Sequence, residues 1–325
     1  MNIRPFGWRD LTLLRNYLDY GLFLDSAQVL TQGKSLVSMG ALLSFLAPSA
    51  RMYTYRSDRS SKPDIPLIGQ ISYATGASFA RLTFLAPEAA LEQADVSAFS
   101  DFIASEAGKL GAFHILADVN ECSQAFEMLH RAGFAIYARQ RIWCLEGEAL
   151  GKGDPADWIP SRSKDTIAVR SLYCNVVPGL VQQVEPLPKK ELKGSVYYKD
   201  GELLAYVELK YGRNGIWLQP FIHPDAGEIE RFVLPLLNGL PGRGKRPVYI
   251  CVRSYQSWLE SAIEAIGAQP GAAQAVLVRH LTVARQVSPV YAVPAINGKR
   301  VEPTAPIVQI DGSHYLEPAE AERRP

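Results

Sequence analysis

Apolar positions along this chain change period repeatedly, and the changes divide it into short elements. Ile3-Arg4-Pro5-Phe6 reads as a short strand entering a helical region, where Leu11, Leu14, Leu18 and Leu22 recur at helical spacing. A second apolar stretch from Leu36 to Leu46 predicts another helix, ending before Pro48. Residues 51–56 alternate and are rich in β-formers, and the polar run after them is a loop. A strand over Leu67–Tyr73, a turn at Ala74-Thr75-Gly76-Ala77 and a strand over Phe79–Leu85 complete a meander. Asp95 is placed to cap a helix whose Val96, Phe99, Phe102, Ile103 and Leu110 share one face, with Gly111 as its stop. The short apolar run Ala112–Ala117 predicts a strand buried on both faces. Cys122, Ala125, Phe126 and Leu129 then mark an amphipathic helix closed by Gly133 and followed by another strand.

The second half repeats this order. The Gly-, Pro- and charge-rich stretch Glu148–Asp165 predicts a boundary, and Ile167-Ala168-Val169-Arg170 reads as an opening strand. Asp200-Gly201 lies between alternating segments, the composition of a tight hairpin, and Arg213-Asn214-Gly215 marks a second one. Ile229, Phe232, Val233, Leu236, Leu237 and Leu240 form the clearest helical stripe, with Pro235 inside it predicting a kink or break. A strand over Val248–Arg253, a helix over Gln256–Ile266 and a final apolar strand follow. Gly133 and Gly267 end corresponding helices 134 residues apart, since 267 − 133 = 134. These patterns predict an α/β chain of two similar domains, 1–147 and 166–286, and an extended Pro-rich tail over 287–325.

Composition narrows the classes. A chain of 325 residues with 47% hydrophobic and 21% charged residues suits two domains, each with its own core. Lys+Arg of 34 against Asp+Glu of 33 leaves a formal charge of +1, which argues against nucleic acid or an anionic membrane as partner. No apolar run follows a basic head at the start and none approaches eighteen residues, so neither signal peptide nor membrane span is expected. Cys122, Cys144, Cys174 and Cys251 are scattered, which predicts reduced thiols, no metal site and a cytoplasmic setting.

A strand, one or two helices, three antiparallel strands, a helix, a parallel strand, a helix and a final strand form the order of the GCN5-related N-acetyltransferase (GNAT) fold. The chain resembles a tandem pair of such domains with mixed central sheets, the two sheets meeting through their final strands. The best local match is Ala112–Tyr137, with Asn120, Ala125 and the closing Ala132-Gly133-Phe134. The resemblance implies acetyl-coenzyme A as acyl donor, held in an opening between the fourth and fifth strands, and an amine as acceptor, either a small molecule or a peptide. It places Leu85, Ala86 and Asn120 beside the donor in the first half, and Phe221, Ile222 and Arg253 in the second. The phosphate loop of that family, Gln/Arg-x-x-Gly-x-Gly/Ala, is missing. Pro87-Glu88-Ala89-Ala90-Leu91-Glu92 and Pro224-Asp225-Ala226-Gly227-Glu228-Ile229 stand in its place, with carboxylates where a pyrophosphate would lie.

Two side chains carry candidate chemistry in the second half. His223 ends the fourth strand and could take the acceptor's proton, and it also suits a strand-ending turn. Tyr255 stands at the strand-to-helix corner beside Arg253, where a phenol could serve the departing thiol or could simply pack. Asn120 fits either a contact to the donor's pantetheine arm or a cap of the following helix. Glu208, on an alternating strand, is either a base or a solvent-facing charge, and Gly242-Arg243-Gly244-Lys245-Arg246 is either a phosphate contact or a connecting loop. The expected function is acyl-coenzyme A-dependent N-acylation of an amine. The alternative is a non-catalytic protein that keeps the fold for binding a ligand or another protein.

Overall fold

A computed structural model describes residues 2–46, 51–58, 65–88, 96–147, 158–188 and 192–281. The expected tail over 287–325 and Asp95 lie outside the described residues. In the first half, β1 (Asn2–Pro5), α1 (Leu11–Tyr17), a short β2 (Leu22–Phe23), α2 (Ser26–Gln32) and α3 (Ser35–Leu46) precede the meander β3 (Met52–Asp58), β4 (Ile68–Tyr73) and β5 (Phe79–Ala86). Then come α4 (Val96–Leu110), β6 (His114–Asn120), α5 (Gln124–Arg131) and β7 (Ala135–Leu145). The second half runs β8 (Trp158–Pro160), α6 (Thr166–Val176), α7 (Gly179–Val184), β9 (Gly194–Lys199), β10 (Glu202–Tyr211), β11 (Ile216–Ile222), α8 (Ile229–Asn238), β12 (Val248–Arg253), α9 (Glu260–Ala265) and β13 (Gln269–His280). Both halves therefore follow the order of elements expected from the sequence, with β2 added in the first, and the fold is a mixed α/β tandem.

All these strands belong to one sheet, ordered β1-β3-β4-β5-β6-β13-β7-β12-β11-β10-β9-β8, with β2 attached to β5. The centre holds an exchange. The last strand of the second half, β13, pairs antiparallel with β6 of the first half, His280 opposite His114 and Gln274 opposite Asn120. The last strand of the first half, β7, pairs with β12, Leu145 opposite Val248 and Gln140 opposite Arg253. The two exchanged strands also pair with each other.

Alternation assigns the faces. On β6 and β13, Ile115, Ala117, Ala275 and Leu277 join the core under α4 and α5, while Leu116, Val276 and Val278 join the core under α6 and α7. Both strands are thus covered on two sides, which is why their sequences read as apolar runs. On α8, Ile229, Val233, Leu236 and Leu237 lie at i, i+4, i+7 and i+8 and are all buried against the second half's other face. Each such side chain contributes about 1.5–3 kcal/mol.

The structure differs from the sequence expectations at several elements. Ile167–Arg170 belongs to α6, because the Asp165 carboxylate accepts the Arg162 N–H at 2.8 Å to start a turn. Val169, Leu172 and Tyr173 then share the buried side at helical spacing, leaving Ile167 83% exposed. The stretch Leu11–Leu22 is not one helix: α1 passes into a 3₁₀ turn over Leu18–Tyr20 and then into β2. The helix expected over Gln256–Ile266 is a 3₁₀ segment, Ser254–Leu259, joined to the short α9, with Gln256 outside helical geometry. α8 runs through Pro235 as a single helix. Asp200 and Gly201 both have positive φ, 52° and 85°, as a two-residue hairpin turn requires, and Lys199 stands opposite Glu202. Gly133 and Gly267, the two registered positions, both have positive φ as well, 85° and 94°.

Candidate functional site

In each half the parallel pair that should open for a donor is short. β5 and β6 pair only over Phe79–Arg81 and His114–Leu116, and β11 and β12 only over Ile216–Leu218 and Val248–Ile250. Beyond those points the strands diverge, and the two openings differ in what stands in them.

The first is filled by the chain itself. Leu22 and Phe23 pair with Leu85 and Phe84, the Leu24 N–H donates to the Thr83 carbonyl at 3.0 Å, and the Asp118 N–H donates to the Leu24 carbonyl at 2.8 Å. The Asp118 carboxylate in turn accepts the Ser26 N–H at 3.1 Å. Leu24 thus bridges β5 and β6 at the point where they part. Leu85 and Ala86 lie buried against this insert and its neighbours. Asn120 stands exposed at the end of β6, its Oδ1 accepting the Cys122 N–H at 3.0 Å and its carbonyl accepting the Ser123 hydroxyl at 2.7 Å, two bonds that form the turn into α5.

The second opening contains no strand among the described residues. Phe221 points to the core under α6 and α7, and Ile222 to the core under α8. Gln256 reaches across the tip, its Nε2 donating to the Ile222 carbonyl at 3.2 Å. His223 caps a turn: its Nδ1 accepts the Asp225 N–H at 3.2 Å, with the Asp225 carboxylate 3.6 Å away. Arg243 and Arg246, which the glycine-rich loop offered for phosphate, spend their guanidinium groups on backbone carbonyls of Leu237, Gly212 and neighbouring residues. That segment is a structural brace.

Beside the second opening, on the side of α6 and α7, lies a cavity of about 200 Å³. Its walls include Tyr173, Glu185, Glu208, Lys210, Phe221 and Tyr255 of the second half, together with Phe79 and Arg81 from β5 of the first. His223 does not line it. The cavity is therefore a joint product of both halves, although only the second keeps an opening beside it.

A charged cluster forms the floor. Glu185, 13% exposed at its side chain, takes Arg253 at 2.7 Å on one oxygen and Arg81 on the other. Arg81 also faces Asp118 at 3.6 Å. Burial alone would raise the Glu185 carboxyl, but Arg253 and Arg81 outweigh it and hold the group at about 2. For Asp118 burial prevails over Arg81, and its carboxyl is raised. Arg253 is 4% exposed, and its Nε and Nη1 carry no hydrogen-bond partner. The buried Tyr137 hydroxyl is coupled to the Glu185 charge without a well-formed hydrogen bond to it. Burial, reinforced by Glu185, raises the phenols of Tyr137 and Tyr173. Burial likewise raises Tyr255, where Arg253 partly opposes it, so all three remain protonated near neutrality. The Cys251 thiol is pushed up to about 12, chiefly by burial, and is not a nucleophile at neutral pH.

Among the described residues no group of three or more His, Cys, Asp or Glu side chains could hold a metal ion, and no helix is long and apolar enough to cross a membrane. Arg81, Glu185, Lys210 and Gln219 were not singled out from the sequence as site residues. They meet only through the tertiary fold, Arg81 and Glu185 being 104 positions apart.

No family model matches the sequence, and no curated protein matches it. Solved structures similar to this chain include a tandem GNAT protein from the clavulanic acid biosynthesis pathway, at 13% identity and TM-score 0.49, the match covering 86% of this chain and 98% of that one. A GCN5-related N-acetyltransferase from Kribbella flavida matches at 14% identity and TM-score 0.45, covering 69% of this chain and 89% of its own. Another, from Sphaerobacter thermophilus, matches at 10% identity and TM-score 0.45, with 70% and 80% covered.

Proposed function

We propose that the chain is a coenzyme A-dependent N-acyltransferase with one working site, in the second half. The observation that carries this reading is the contrast between the openings: Leu22–Ser26 occupies the first, whereas the second diverges beside a polar, aromatic-lined cavity. An acyl-pantetheine arm entering between β11 and β12 would bring its thioester to the cavity, where an amine could attack it directly. Glu208, facing the cavity, suits the removal of the amine's proton better than His223, whose Nδ1 is engaged in its own turn. Tyr255, kept protonated by burial, suits the donation of a proton to the departing thiolate. Arg81 and Arg253 fix Glu185 and with it the cavity floor.

Isothermal titration with acetyl-coenzyme A tests the reading first; no heat and no thermal shift at millimolar donor would overturn it. With binding in hand, release of free thiol over a panel of amines tests catalysis. Tyr255→Phe should lower kcat about a hundredfold, within the range for loss of a general acid. An unchanged kcat removes that role from Tyr255.

One observation favours a second reading, a non-catalytic ligand-binding protein. The N-terminus of α8, where a pyrophosphate would gain from free amides, is flanked by Asp225, Glu228 and Glu230, whose charges oppose an anion. Donor binding with no thiol release for any amine would select it.

A further inference from the structure

We infer that the acceptor is a free α-amino acid with an apolar side chain, bound as a zwitterion between Glu208 and Lys210. This inference rests on the acyltransferase reading for its chemistry and on the cavity for its geometry. Glu208 and Lys210 stand two residues apart on β10, so both project from one face, with Nζ and Oε1 separated by 3.6 Å. Both line the cavity. At that separation they form an ion pair without a hydrogen bond, and Lys210 adds a weaker favourable interaction with the Glu185 carboxylate. The other charges of the cavity are already matched, Glu185 by Arg81 and Arg253. What the cavity wall offers a ligand is therefore one anion and one cation side by side, held together only by a long ion pair. A simple amine would meet Glu208 alone and leave Lys210, whose side chain is 45% exposed, to solvent. A molecule whose ammonium and carboxylate share one carbon meets both.

The remaining walls supply Phe79, Tyr173, Phe221 and Tyr255, surfaces suited to an apolar side chain. The volume of about 200 Å³ lies below the roughly 300–1,000 Å³ of sites for drug-sized ligands. A peptide amine has no carboxylate on the carbon that bears its nitrogen, so it would not engage Lys210.

The reaction balances within the site. The ammonium releases one proton to solvent, and the resulting amine attacks the thioester carbonyl carbon. As the C–N bond forms, the second proton passes to Glu208. The C–S bond breaks, and the thiolate takes a proton from Tyr255, which Glu208 restores through solvent. The products are an N-acyl amino acid and the free thiol.

The test uses the full chain with acetyl-coenzyme A and three pairs: L-phenylalanine with 2-phenylethylamine, L-leucine with 3-methylbutylamine, and L-methionine with 3-(methylthio)propylamine. At least one amino acid should exceed its decarboxylated partner tenfold or more in kcat/KM. Lys210→Met should bring that ratio toward one, and Lys210→Arg should preserve it. Equal use of the amines by the unmodified chain, or a ratio unmoved by Lys210→Met, overturns the inference while leaving the acyltransferase reading standing. If acetyl-coenzyme A does not bind, that reading and the acceptor role fail together, and titration of the three amino acids alone decides whether Glu208 and Lys210 form an amino-acid site. Binding weakened tenfold by Lys210→Met upholds it, and no binding overturns it.

Discussion

Glu185 shows how much one side chain holds in place. It lies in the loop after α7, yet it joins Arg253 at the end of β12 to Arg81 on β5, so a single carboxylate ties the two halves at the cavity floor. Removing it leaves Arg253 buried with an uncompensated charge, and Glu185→Gln should cost about 3–5 kcal/mol in urea denaturation at neutral pH. The same group gives a pH signature. Its carboxyl falls from an ordinary 4.5 to about 2 in the folded chain, a gap that corresponds to about 3 kcal/mol. A depressed carboxyl stabilises above the unfolded value and ceases to as pH falls through the folded one. The stability difference between the unmodified chain and Glu185→Gln should therefore be full above pH 4.5 and shrink toward pH 2. A difference that stays constant over that window would contradict the assignment. None of this was legible in the sequence, because Glu185 stands alone between Val184 and Pro186 and its partners are 68 and 104 positions away. The position of Tyr255 and Arg253 was legible, since the end of a buried strand before a helical corner is a local pattern.

Elements were readable where one period governed them and misread where two competed. The hairpin at Asp200-Gly201 and the stripe on α8 follow directly from local residues. Ile167–Arg170 alternates over four residues, but the turn that Asp165 closes on Arg162 and the longer helical spacing through Tyr173 decide in favour of a helix. β2 was invisible because two residues have no period, although it distinguishes the two openings. Leu24, 2% exposed, anchors the insert that follows it. Leu24→Ala should destabilise the chain by about 2–5 kcal/mol through the cavity it leaves. It should not create a second donor site, so titration of a still-folded sample should give one acetyl-coenzyme A per chain, as for the unmodified protein. A stoichiometry of two in either would show that the first opening also binds. α2 is held from the other side, where Gly212 meets the Thr31 carbonyl so closely that an added Cβ would lie 2.2 Å from it. Gly212→Ala should therefore cost about 1–3 kcal/mol by forcing α2 away from the β10–β11 hairpin, as thermal melts can measure.

At the scale of the molecule, the exchange of β7 and β13 decides how the chain comes apart. A boundary near residues 148–165 is visible in composition, but neither half owns the strand that completes its sheet. A chain expressed as residues 1–150 alone should leave β6 and β7 without β13 between them, and residues 158–281 alone should leave β12 without β7. Each should be unfolded or aggregated by circular dichroism and gel filtration, the two should recover a common fold when co-expressed, and the intact chain should melt in one calorimetric transition. Two independent melts would refute this. The exchange also has a consequence for how such a chain can change over generations. A half whose opening has closed over its own backbone would ordinarily be dispensable, and its loss would go unpunished. Here deletion of the first half would strip its sister of an inner strand and of Arg81, so selection for the proposed second site alone would preserve both halves. On that reading the first half would be free to lose a site of its own and not free to leave.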